Sequence, residues 1–162
     1  MKVVFFGTPE FAVPTFERLL ASRHEVLFVV SKPDKPVGRR QVLASPPIVE
    51  LAKHHEIKYL QPKNLKGPKF ESTLAESEPD AAVVVAYGKM IPESLIGIPP
   101  RGFINLHPSL LPRHRGPSPI QWALVCGDRA TGVTTMLIDE GMDTGPIFLQ
   151  RREEIEPRET AE

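Results

Sequence analysis

Lys2-Val3-Val4-Phe5-Phe6-Gly7-Thr8-Pro9-Glu10-Phe11-Ala12-Val13-Pro14-Thr15-Phe16-Glu17-Arg18-Leu19-Leu20 opens the chain and decides its fold class. Val3 to Phe6 is an unbroken apolar run of β-formers, the pattern of a strand covered on both faces. Gly7-Thr8-Pro9-Glu10 breaks it. Ala12, Phe16, Leu19 and Leu20 then recur at a spacing of three to four, which reads as an amphipathic helix. Pro14 falls in the first helical turn, where a missing N–H does no harm. Buried strand, tight turn and amphipathic helix together open a parallel α/β unit.

The same alternation continues along the chain. Residues 25–30, 57–60, 81–86, 102–106, 131–138 and 147–151 read as further strands. Ala81 to Ala86, all small or branched, is the clearest of them. Ile48, Leu51 and Ala52 mark a short helix, Phe70 and Leu74 one face of a helix over 70–77, and 120–125 another. Residues 92–96 read as a single helical turn. Residues 31–47, 61–68, 87–89, 108–119 and 139–145 read as loops. The expected fold is therefore α/β, a doubly wound, mostly parallel sheet of about seven strands. Ligands in such sheets bind at the carboxyl ends of the strands.

Bulk composition fits this reading. The 162 residues suit one domain, with 41% hydrophobic and 25% charged residues. Twenty basic and twenty acidic side chains cancel, so net charge points to neither nucleic acid nor membrane, although a local patch still can. The single Cys126 excludes a disulfide framework and a cysteine zinc site, and suits a reduced, cytoplasmic setting. No run is long enough for a membrane span. The polar stretch 153–162 reads as the approach to a further helix, so the chain is expected to be a piece of a longer protein.

The chemistry concentrates in Asn105-Leu106-His107-Pro108-Ser109-Leu110-Leu111-Pro112 and in Asp139-Glu140-Gly141-Met142-Asp143-Thr144-Gly145. Asn105 and His107 lie two apart at a strand end, so both side chains leave the same face. An amide and an imidazole there, met by a carboxylate from a Gly-flanked loop, can polarise a carbonyl and move a proton. Asp143 is the candidate carboxylate and Asp139 its nearest rival. His54 and His55 read as solvated surface, His24 as a turn residue, Trp122 as core packing, and His114 as an open candidate for substrate contact. After the first strand, Gly7-Thr8-Pro9 lacks the glycines that pyrophosphate needs, and Glu10 opposes phosphate, which disfavours NAD and nucleotide cofactors. The basic stretch Ser31-Lys32-Pro33-Asp34-Lys35-Pro36-Val37-Gly38-Arg39-Arg40 has two readings, a solvated loop or a phosphate contact.

These motifs resemble the 10-formyltetrahydrofolate-dependent formyltransferases. The resemblance runs from Phe6-Gly7-Thr8-Pro9-Glu10-Phe11 through Val84-Val85-Ala86-Tyr87-Gly88 and the Asn105–Pro112 block to Gly141–Gly145. The opening and the basic loop are similar to the branch that formylates methionyl initiator tRNA. The resemblance implies a Rossmann-like formyltransferase fold, with residues 1–162 the N-terminal catalytic domain, truncated at its end and without the family's C-terminal OB-like domain. It implies 10-formyltetrahydrofolate as formyl donor, no metal, initiator methionyl-tRNA as partner, no membrane, and a cytoplasmic monomer acting in translation initiation. Asn105, His107 and Asp143 would be catalytic. Tyr87, Gly88, Met90, Ser109, Leu110, Leu111, Pro112, Asp139 and Gly141 would line the folate pocket. Lys35, Arg39, Arg40 and Arg115 would contact tRNA. An amino-sugar formyltransferase with the same donor, and an inactive folate-binding fragment, remain as alternatives. His114, often another aromatic residue in the family, and the Pro and Ser of Gly116-Pro117-Ser118-Pro119 depart from its pattern on the acceptor side.

Overall fold

A computed structural model of the chain describes residues 1–39 and 41–161. The fold is α/β, with a mostly parallel seven-strand central sheet flanked by helices, as the sequence predicts. The elements in order are β1 (Lys2–Gly7), a 3₁₀ turn (Glu10–Ala12), α1 (Val13–Leu20), β2 (Glu25–Val30), β3 (Lys35–Val37), β4 (Val42–Ala44), α2 (Pro47–His54), β5 (Tyr59–Leu60), α3 (Pro68–Glu76), β6 (Ala81–Val85), α4 (Glu93–Ile96), β7 (Phe103–His107), α5 (Pro119–Val125), β8 (Ala130–Leu137) and β9 (Ile147–Glu154). The chain divides into two compact units, Met1–Phe103 and Ile104–Glu162.

In the first unit the strands run β5-β2-β1-β6, and every pairing is parallel. β1 lies in the middle, and Val3 to Phe6 are each 1% exposed or less. This is why the opening run carries no polar alternation: both faces are covered. Phe16 of α1 stacks on Phe5 with ring centroids 4.8 Å apart, which fixes the helix against the sheet. Phe6 packs edge-on against Tyr87 and tilted against Phe103. One expectation changes here. The stretch read as loop contains a two-stranded antiparallel hairpin, β3 and β4, with Lys35 opposite Ala44 and Val37 opposite Val42. Both strands are exposed throughout. A ribbon of three residues a side, carrying Pro36, shows too little alternation to announce itself.

In the second unit β7, β8 and β9 follow one another, and both pairings are antiparallel. For β8 and β9 the short 138–146 connection requires this, since a parallel return needs a crossover of roughly a dozen residues or more. Gly132, Thr134 and Met136 of β8 point inward in strict alternation. β9 extends past the predicted Arg151 to Glu154, and all eight of its residues are exposed. Trp122 is half exposed at 52%, so its expected core role is not realised. Ala123 and Pro119 carry the buried side of α5 instead. No helix of the described residues is long and apolar enough to cross a membrane.

Candidate active site

β7 delivers Asn105 and His107 from its carboxyl-terminal end, paired with Met136 and Thr134 of β8. The 138–146 connection brings Asp143 to both. Its Oδ2 lies 3.5 Å from His107 Nδ1, and its Oδ1 accepts a long 3.4 Å hydrogen bond from Asn105 Nδ2. The His107 side chain is 5% exposed and that of Asp143 17%, so the pair is shielded but open on one side. Asp143 takes a left-handed backbone conformation, φ +53°, which Asp tolerates better than most residues. Asp139, the rival carboxylate, is occupied elsewhere: it accepts from the Gly141 amide and from the Thr144 hydroxyl, closing its own loop.

Two backbone groups complete the arrangement. His107 Nε2 lies 2.9 Å from the His114 carbonyl, and the Gly116 amide donates to Asp143 Oδ2 at 2.8 Å. A carbonyl only accepts, so Nε2 carries a proton. The Nδ1 edge, beside Asp143, is left to exchange a proton with a substrate. Gly116 sits at φ +85°, and a side chain there would press on the Met142 sulfur at 3.1 Å. Sequence reading did not single out these two backbone partners, because a main-chain contact leaves no residue-type signature.

Beneath the site, Ser109 is fully buried and donates to the Arg113 carbonyl at 2.7 Å. Thr134 donates to the Ser109 carbonyl and accepts from the Leu111 amide, and Gln150 donates to both Leu111 O and Thr134 Oγ1. Leu111 is 5% exposed, Leu110 is half-buried, and the Leu111–Pro112 peptide is cis. Ser109 to Pro112 thus shape the floor through backbone and packing rather than through free polar groups. Leu110 also lines a cavity of about 410 Å³ with Arg113, His114, Asp128, Arg129 and Arg152.

The remaining candidates, Arg115 apart, lie in the first unit. The Tyr87 ring is 1% exposed and its carbonyl accepts from the Thr8 hydroxyl, so only its backbone is available to a ligand. Gly88, at φ +74°, leaves room for the Lys32 ammonium, which a side chain there would meet. Met90 is 60% exposed. Lys32 and Lys35 line a cavity of about 350 Å³ with Thr8, Pro9, Pro46 and Ala86. Burial, then the charges of Lys35 and Lys89, push the Lys32 ammonium below its ordinary pKa. Lys35, Arg39 and Arg115 are exposed, and Arg40 lies outside the described residues. Among the described residues, no group of three or more His, Cys, Asp and Glu is arranged to hold a metal ion.

The family model described as formyl transferase matches residues 1–162. Methionyl-tRNA formyltransferase from Acetivibrio thermocellus is 49% identical over 161 residues, 99% of this chain and 52% of the relative. The protein of the same name from Thermodesulfovibrio yellowstonii is 49% identical over 160 residues, with the same shares covered. The chain therefore spans about half the length of these curated relatives. Among solved structures, phosphoribosylglycinamide formyltransferase from Bacillus halodurans superposes with a TM-score of 0.82 at 26% identity, covering 99% of this chain and 84% of that one. With a family model matching it from end to end, the chain belongs to the formyl transferase family.

Proposed function

We propose that this chain carries formyl transfer from 10-formyltetrahydrofolate to the α-amine of methionine on initiator tRNA. The observation that carries the reading is Asp143 within reach of both Asn105 and His107. The names of the curated relatives select the acceptor. In the reaction, the amine nitrogen bonds to the formyl carbon and a tetrahedral intermediate forms. Its oxygen gains negative charge, and the Asn105 amide is the fixed donor to meet it. The bond from that carbon to the folate N10 then breaks, the amine gives up a proton, and N10 takes one. The Nδ1 edge of His107 is placed to carry that proton, with the Asp143 carboxylate steadying the charged imidazole. The products are formylmethionyl-tRNA and tetrahydrofolate. Ser109 to Pro112, Asp139 and Gly141 are the residues of the second unit we assign to the folate.

Formyl transfer to methionine-charged initiator tRNA tests this directly. Asn105→Ala is expected to lower turnover by roughly 10²–10³-fold, the usual cost of losing a fixed donor to a developing oxyanion, and His107→Ala by roughly 10²–10⁴-fold, the usual worth of a positioned proton carrier. Near-native turnover in either variant removes that residue from the mechanism. Transfer to an amino sugar but not to the charged tRNA reassigns the acceptor. Folate binding without transfer to any amine makes the chain a donor-binding piece.

A further inference from the structure

We propose that Asp128, which hydrogen-bonds neither His107 nor Asp143, is a positioning residue that holds the catalytic His107–Asp143 pair in register by clamping the 113–116 loop. That loop touches both members of the pair through its backbone alone. The His114 carbonyl meets His107 Nε2 at 2.9 Å, and two residues later the Gly116 amide meets Asp143 Oδ2 at 2.8 Å. A displacement of the loop therefore moves the two groups together. His114 lies in the left-handed region at φ +53° without being glycine, a conformation uncommon for a residue with a side chain.

Asp128 supplies the restraint. One carboxylate oxygen accepts from Arg113 Nη2 at 2.6 Å, and the other lies 2.6 Å from His114 Nε2. Two consecutive loop residues are thus gripped by one carboxylate, whose side chain is 8% exposed. The His114 bond first, and then the Arg113 charge against the opposing effect of burial, hold the Asp128 carboxyl below its ordinary pKa, so it stays charged while it grips. The Asp128 amide is itself bonded to the Ala123 carbonyl of α5 at 2.9 Å, which ties the carboxylate to a helix. His114 faces two ways. Its ring turns to Asp128 while its carbonyl turns to His107. The hydrogen bonds of the Asp128 carboxylate go to this loop and not to His107 or Asp143, so a charge change at Asp128 reaches the imidazole through the loop.

The proposal deepens the formyl-transfer reading and rests on it for its meaning, so its test reads the imidazole as well as turnover. Ring-nitrogen NMR of histidine-labelled protein, with His107 assigned by its loss in His107→Gln, reports the proton on Nε2. In the unaltered chain the Nε2–H form is expected to dominate, and the Gly116 amide to exchange slowly. In Asp128→Ala the two neutral tautomers are expected to mix and Gly116 exchange to speed up about tenfold or more, with the rest of the amide spectrum retained. Asp128→Asn keeps the volume and one acceptor and is expected to move the same signals by less, and it decides alone if the alanine variant does not fold. Turnover should fall through kcat with KM held, and Asp128→Ala should add nothing in a His107→Ala background. Unchanged His107 and Gly116 signals in folded variants overturn the proposal. Absence of formyl transfer in the unaltered chain overturns the functional reading and leaves the NMR result to decide the clamp.

Discussion

Tyr87 shows how far a single side chain can stand from the role its motif implies. Its ring meets Phe6 edge-on at 5.5 Å and is 1% exposed, and its hydroxyl finds no hydrogen-bond partner among the described residues. Burial pushes the phenol up to about 12 from an ordinary value near 10. The neutral form is the one the fold prefers. Its contribution to stability is therefore complete below about pH 10 and is lost as pH rises through about 12. With Tyr59→Phe leaving one tyrosine, the absorbance titration at the phenolate band should have its midpoint near 12. A midpoint near 10 in a folded protein would mean that the hydroxyl reaches water. Tyr87→Phe removes a buried, unpartnered hydroxyl and keeps the ring, so denaturant unfolding should show stability unchanged or raised by up to about 1 kcal/mol. Asp143 is the contrasting residue. Its position in a Gly-flanked loop was readable, yet only the fold shows that it, rather than Asp139, faces His107.

At the scale of elements, the β8–β9 pairing depends on one absent side chain. A Cβ on Gly132 would meet the Arg151 carbonyl across the ladder and the Leu110 side chain at 2.7 Å. Leu110 can turn aside, but the Arg151 carbonyl belongs to the paired strand. Gly132→Ala is therefore expected to destabilise the chain by about 1–3 kcal/mol in urea unfolding, the range for forced overpacking. A shift under about 0.5 kcal/mol would mean that the exposed β9 gives way without cost. The elements also show what the sequence could and could not reveal. Strands β1 and β6 were legible because parallel strands buried on both faces are written in unbroken apolar residues. The β3–β4 hairpin and the end of β9 were not, because fully exposed strands carry no burial pattern to read. The Asn105–His107 pair was legible from spacing two on a strand. The loop that holds it from His114 to Gly116, and Asp128 behind that loop, were not, since neither backbone bonds nor contacts formed by folding have a local signature.

The whole molecule is electrically neutral, with 20 basic and 20 acidic residues, so its overall field does not draw a polyanion. Under the proposed function, attraction to tRNA has to come from a local feature, and the exposed β3–β4 hairpin fits that part. It presents Lys35 and Arg39 to solvent beside Val37, Val42 and Leu43, which are 59%, 63% and 65% exposed. Cations with apolar neighbours on a small projecting ribbon suit a surface that meets phosphate and sugar without reading sequence. Under the proposed function, Lys35→Gln and Arg39→Gln should each weaken binding of charged initiator tRNA. Each should also flatten the slope of log affinity against log salt by roughly one phosphate contact. The paired change should leave folding stability within about 0.5 kcal/mol, because neither side chain is buried. Retention of the full slope in the double variant would place the phosphate contacts elsewhere on the molecule. Loss of affinity at unchanged slope would assign the contribution of Lys35 and Arg39 to uncharged contacts of their side chains with the nucleic acid rather than to phosphate pairing.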